Sequence, residues 1–200
     1  VRWDRLFEDL EDQLCSEWEA ERAALDSEAE RLRLSRVMLR DRLRAIASRD
    51  RAQVVASFEL VDGTIFSGEV SGVGADWAAI DPTGQHRGIV VPLSAICAIG
   101  MPHADLLRSA RPVEGSTALA DRMTFGFVLR DFVRRRLAVT IHRVHGATLA
   151  GTIDRAGADH LDIALHDPGV SRRAELVSGH RIVPFGSVAW VRPEIASPLI

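Results

Sequence analysis

The sequence predicts an α+β protein: a long N-terminal helix and two small five-stranded antiparallel β-barrels, each preceded by a helix. Three observations predict it. Helix formers run without Gly or Pro until Gly63. From about Gln53 the apolar spacing changes to a period of two. Finally, one pattern occurs twice. Val61-Asp62-Gly63-Thr64-Ile65-Phe66-Ser67-Gly68-Glu69-Val70 returns as Val144-His145-Gly146-Ala147-Thr148-Leu149-Ala150-Gly151-Thr152-Ile153. The 200 residues then divide into an N-terminal amphipathic helix (1–50), a first barrel (53–100), a linker with a second helix (101–136) and a second barrel (137–193).

Residues 3 to about 48 read as one helix because Leu, Glu, Ala and Arg dominate them. Trp18, Leu25, Leu32, Leu39 and Ile46 recur every seven residues, with Ala29 and Leu43 four positions after members of that row. Such spacing permits a coiled coil, although Arg22 and Arg36 occupy two of the partner positions. Docking on the chain's own barrels or on a second copy would bury the same stripe. Residues 1–34 hold eleven acidic and five basic side chains, whereas 35–51 hold two acidic and six Arg. Acid early and base late complements the helix dipole. An Arg-lined binding surface is the functional alternative.

The first barrel is read strand by strand. Val54 to Val61 alternates, Asp62-Gly63 is a tight-turn signal, and Thr64 to Val70 alternates again. Gly72 and Gly74 mark a bend before Trp77 to Ile80. Asp81-Pro82-Thr83-Gly84 is a turn, followed by Gly88 to Pro92 and Ala95 to Ile99. Five short strands in so little chain suit a small barrel. Pro102, Pro112 and Gly115 punctuate the linker. A second helix is expected from Ser116 or Thr117, as cap, to about Arg135.

The repeat extends beyond the hairpin. Gly74-Ala75-Asp76 matches Gly157-Ala158-Asp159, and Val91-Pro92 matches Val183-Pro184 ahead of the last strand. The second copy's extra residues fall between Ile163 and Val183, in one loop. Leu39-Arg40-Asp41 and Leu129-Arg130-Asp131 extend the match to the preceding helices. Gly63 and Gly146 stand where a two-residue hairpin turn needs a positive φ. Gly68 and Gly151 stand inside strands, where a bent sheet needs a residue without Cβ.

This unit resembles the Sm-like (LSm) small β-barrel family, duplicated in tandem. Leu60, Gly63, Phe66, Gly68, Val70 and Asp76 fit the family's first motif, as do Val144, Gly146, Leu149, Gly151, Ile153 and Asp159. The resemblance implies barrels that associate through open strand edges. The family's RNA site uses an Asn after the Asp and a late Arg-Gly. This chain has no Asn, its Arg87-Gly88 precedes the fourth strand, and its second copy has no Arg-Gly. The fold is therefore expected without the RNA pocket.

Composition narrows the function classes. The formal net charge of −3 argues against a general polyanion binder. No run is apolar enough to span a membrane, and the charged N-terminus lacks a signal-peptide core. Cys15 and Cys97 form no close set, which fits a reducing cytoplasm. The chain has 25 Arg but no Lys, Tyr or Asn, a bias expected of a GC-rich genome such as an actinobacterium's. No catalytic motif occurs, and no cofactor or metal is expected. His142 and His145 lie three apart on a strand, on opposite faces.

The expected activity is non-enzymatic, through protein–protein contacts or self-association at barrel edges and the N-terminal helix. The alternative is a regulatory RNA- or DNA-binding protein. It would use Arg40, Arg44, Arg130, Arg134, Arg135 and Arg136 at the helix C-termini, with Trp77 as a stacking platform.

Overall fold

The N-terminal helical stretch forms two helices rather than one: α1 spans Arg2–Ser35 and α2 spans Leu39–Ala47. The N–H groups of Arg36 and Val37 donate to the carbonyls of Arg33 and Leu34, three residues back, and this tighter turn ends α1. The Ser35 hydroxyl donates to the Leu32 carbonyl at 2.8 Å and competes with the backbone at the same point. The computed structural model describes residues 2–47, 54–85, 87–111, 119–169 and 172–194. The expected C-terminal end of the helix, 48–50, therefore lies outside the described residues. The chain divides into two units, Val1–Met38 and Leu39–Ile200. In the first unit, Trp18, Leu25 and Leu32 are all exposed.

The second unit is built on ten strands. The first copy supplies β1 (Val55–Leu60), β2 (Ile65–Val73), β3 (Trp77–Pro82), β4 (Ile89–Pro92) and β5 (Ile96–Gly100). The second supplies β6 (Ala138–Arg143), β7 (Thr148–Ala156), β8 (His160–Leu165), β9 (Gly179–Pro184) and β10 (Val188–Pro193). These strands do not form two closed barrels. They form one open antiparallel sheet in the order β5-β1-β2-β3-β4-β10-β6-β7-β8-β9. The Sm-like barrels expected from the sequence are corrected by this order.

The physical reason lies at the fourth and fifth strands of each copy. Pro92 ends β4, and a 3-10 turn, Leu93–Ala95, carries the chain round a corner into β5. A corner of that kind joins two strands without pairing them. β5 then pairs with β1 on the far side of its own half. The free edge of β4 is taken by β10 of the other half instead.

The two halves share their cores across this seam. Leu43 and Ile46 of α2 pack with Phe58, Leu60, Ile80, Ile89 and Val91, together with Ala189 and Trp190 from the second half. Phe125, Leu129 and Phe132 of a later helix, α4 (Phe125–Arg135), pack with Val139, Ile141, Ile153, Leu161 and Ile163, together with Trp77, Ala79 and Val90 from the first half. Strand alternation explains the exchange: Ile89 and Val91 face their own core, and Val90 faces the other.

Among the described residues two α-helices lie between the strands of the two copies. α3 (His103–Ser109) forms within the expected linker, after Pro102. α4 runs Phe125–Arg135 and so starts later than the sequence suggests. Thr124 is its cap, its side chain accepting from the Phe127 N–H at 3.3 Å. The Asp76 carboxylate accepts from the Phe125 N–H at 2.6 Å and fixes the helix start from the first half. The cap expected at Ser116 or Thr117 lies outside the described residues.

Candidate functional site

The turn glycines adopt the left-handed conformation, with φ of 82° at Gly63 and 79° at Gly146. Gly68 sits against the next strand so closely that a Cβ would come within 2.8 Å of the Asp81 carbonyl. A Cβ at Gly151 would strike the Ala164 carbonyl. After each of these glycines the strand bulges, between Val70 and Gly72 and between Ile153 and Arg155. The extra residue sharpens the bend.

The arginines proposed for nucleic acid are mostly engaged by the fold. Arg44 pairs with Asp41 and Asp121 and donates to the Gly74 carbonyl at 3.4 Å. Arg130 donates to the Gly157 carbonyl at 3.2 Å. Gly74 and Gly157 are equivalent, so both arginines tie a helix to the same bend. Each follows a fully buried leucine, Leu43 or Leu129. The copies therefore align helix to helix with Leu43 on Leu129, not through the Leu-Arg-Asp match. Arg40 lies beside Asp41, and Asp131 holds both Arg134 and Arg135. Trp77 is fully buried, and its indole N–H donates to the Met123 carbonyl at 2.8 Å, so it offers no face to a base. Arg136 of this set lines the groove described below.

The seam and the sheet's two ends form the first candidate site. At the seam Val90 of β4 stands opposite Val191 of β10, both fully buried. Trp190 donates to the Asp62 carboxylate at 3.0 Å. His142 stacks on Trp190 with ring centroids 3.4 Å apart. Burial of His142, helped by the Arg192 charge and opposed by Asp62, lowers its pKa from the ordinary 6.5 to about 4.

Among the described residues, the ends of the sheet carry the equivalent strands with one edge unpaired. β9 is the second-copy counterpart of β4, and β5 is the first-copy counterpart of β10. Ile182 occupies the place of Val90 and is 73% exposed. Cys97 and Ala98 occupy the places of Ala189 and Trp190 and are also exposed. Residues buried at the seam thus have exposed apolar counterparts at both ends.

A groove of about 2050 Å³ forms the second candidate site. Ala138, Thr140 and His142 line it and alternate with buried Val139 and Ile141, so it occupies the polar face of the second half-sheet. Arg87, Arg136, Arg155, Arg172, Arg181 and Arg192 reach it from separate segments. Sequence reading missed this set because no two of the six are neighbours in the chain. The signal was present only in the comparison of copies: Gly72, Ile89 and Gly100 stand where the second copy has Arg155, Arg181 and Arg192.

Among the described residues no group of three metal-ligating side chains converges. None of their helices is long and apolar enough to cross a membrane. No family model, curated protein or solved structure matches the chain.

Proposed function

We propose that the protein is a non-enzymatic assembly module of the cytoplasm, acting through protein–protein contacts and first of all through self-association. One observation carries this reading: the chain already contains the joint it would use. β4 pairs with β10 at the seam, and among the described residues their counterparts β9 and β5 each keep one edge unpaired, at opposite ends of the sheet. Edge strands with apolar side chains are templates for pairing. Placing the seam between two chains sets Ile182 of one copy opposite Ile99 of the next. The contact is head-to-tail, so it closes a ring or extends a filament according to the rotation per chain. The exposed Trp18, Leu25 and Leu32 row on α1 offers a further contact surface. The cytoplasmic setting rests on the sequence, which has two cysteines, Cys15 and Cys97, in separate elements and no close cysteine set.

The test is mass by light scattering. Wild-type protein is expected as a multimer. Ile182→Glu and Ala98→Glu each block one end and are expected to run as monomers. Mixed together, the two variants retain one good β9 and one good β5, and should form a complex of just two chains. A wild-type monomer at the highest soluble concentration overturns the reading, as does a multimer that both substitutions leave intact.

A further inference from the structure

We propose that the groove on the second half-sheet binds a compact anion bearing two or more phosphate groups. One of its arginines, Arg172, is held in an ion pair, and the lining has too few carboxylates to hold the rest in the same way. Asp154 is committed to Arg172, whose Nη2 donates to Oδ2 at 2.9 Å and whose Nε lies 2.8 Å from Oδ1. Glu194 accepts from the Gly169 N–H at 2.9 Å. Asp162 is the remaining acidic residue in the lining. Among the described residues Arg87, Arg136 and Arg155 have no carboxylate partner. Arg192 lies 5.6 Å over the Trp190 ring. Guanidinium forks match phosphate oxygens two at a time, and six arginines lining one groove suit a ligand with more than one phosphate group.

A second observation points to the same place. Arg136 is the one non-glycine residue with positive φ among the described residues, at 52°. It closes α4 at the position where glycine is favoured, and a Cβ there is a steric cost. Backbone strain of this kind at a cavity wall is a sign of use. A third is His142. It lines the groove, yet its Nε2 is buried without a hydrogen-bond partner among the described residues. The groove has no repeated counterpart: the first copy lends it Arg87 but has Gly or Ile where Arg155, Arg181 and Arg192 stand. A scaffold role would be repeated with the scaffold. A compact ligand is favoured over a nucleic-acid strand because a chain of formal net charge −3 repels a polyanion that runs beyond the groove.

Calorimetric titration with tripolyphosphate at low salt tests the site, with sulfate and a short oligothymidylate as comparison ligands. Tripolyphosphate is expected to bind, sulfate to bind more weakly, and oligothymidylate not to exceed tripolyphosphate. Arg155→Gln should weaken tripolyphosphate binding about tenfold. Arg136→Gly should weaken it similarly while raising the thermal midpoint, because glycine fits that backbone without strain. Ala98→Glu lies on β5, outside the groove, and should still bind tripolyphosphate as a monomer, with β9 and its groove residues Arg181 and Ile182 uncovered. Failure of self-association and failure of this site are therefore read separately. No binding at low salt overturns the inference, and so does binding that neither arginine variant weakens. Tighter binding of oligothymidylate assigns the groove to nucleic acid and overturns the compact ligand.

Discussion

The two halves of the sheet hold the same scaffold and put it to different uses. In each, a buried leucine on the preceding helix, Leu43 or Leu129, is followed by an arginine that grips a glycine carbonyl at the β2–β3 or β7–β8 bend. The hairpin glycines, the strand bulges and the Val-Pro before the corner also agree. The halves part company where they meet and where they face outward. Asp62 accepts from Trp190 at the seam, while its counterpart His145 is exposed. Trp77 fills the core, while its counterpart His160 is half-exposed and pairs with Asp159 at 2.8 Å. That hydrogen bond holds the Asp159 carboxyl below its usual range. Divergence thus follows position in the assembly: one copy is buried against the other at the seam, and the other carries the arginine groove.

The largest expected effect concerns whether the halves are separable at all. Leu43→Ala and Leu129→Ala should each cost about 2–5 kcal/mol, the usual loss for truncating a fully buried leucine. Each core contains residues from the other half, so either substitution should move one common unfolding transition of the sheet unit. Denaturant unfolding followed by tryptophan fluorescence and by far-UV dichroism checks this. Trp77 lies in one core and Trp190 in the other, so two separated transitions would show that the copies fold as independent domains.

A smaller effect isolates the seam. Asp62→Ala leaves the Trp190 indole N–H without its acceptor and should cost about 1–3 kcal/mol. The equivalent change His145→Ala, at an exposed turn, should stay within about 0.5 kcal/mol. Equal losses at the two positions would mean that the tryptophan bond adds nothing to the joint.

Much of this was legible in the sequence, and the illegible part has a definite cause. Period-two runs and turn glycines are local signals, so strands and hairpins could be read residue by residue. Which edges pair is not local. A closed five-stranded barrel and an open seam use the same strands, and only the corner at Leu93–Ala95 and the partner strand β10 decide between them. The helix break at 36–38 was hidden because Arg36-Val37-Met38 contains neither Gly nor Pro. α4 starts later than its sequence suggests because its start depends on Asp76, distant in sequence. The clustered arginines drew attention by density, although neighbouring carboxylates such as Asp131 engage them. The dispersed arginines of the groove had no density to notice.

The smallest expected effect is a dependence on pH confined to one half. His142 is neutral in the fold, with a pKa near 4, whereas in the unfolded chain it takes its proton near 6.5. Between those values the unfolded state binds more protons, so acid favours unfolding. The contribution is fully present above about pH 6.5, falls as the pH drops, and is gone below about pH 4. Burial against Trp190 is the main cause, and Arg192 reinforces it by repelling the imidazolium; Asp62 opposes both. The first copy has exposed Glu59 at this place and no ring to desolvate. His142→Phe keeps an aromatic face on Trp190 but carries no proton. Its denaturation midpoint should therefore decline less than the wild type's between pH 7 and pH 5, a window chosen above the range where ordinary carboxylates titrate. Parallel declines in the two proteins would mean that His142 is protonated in the fold without penalty. The stack on Trp190 would then be open enough to hydrate the imidazolium.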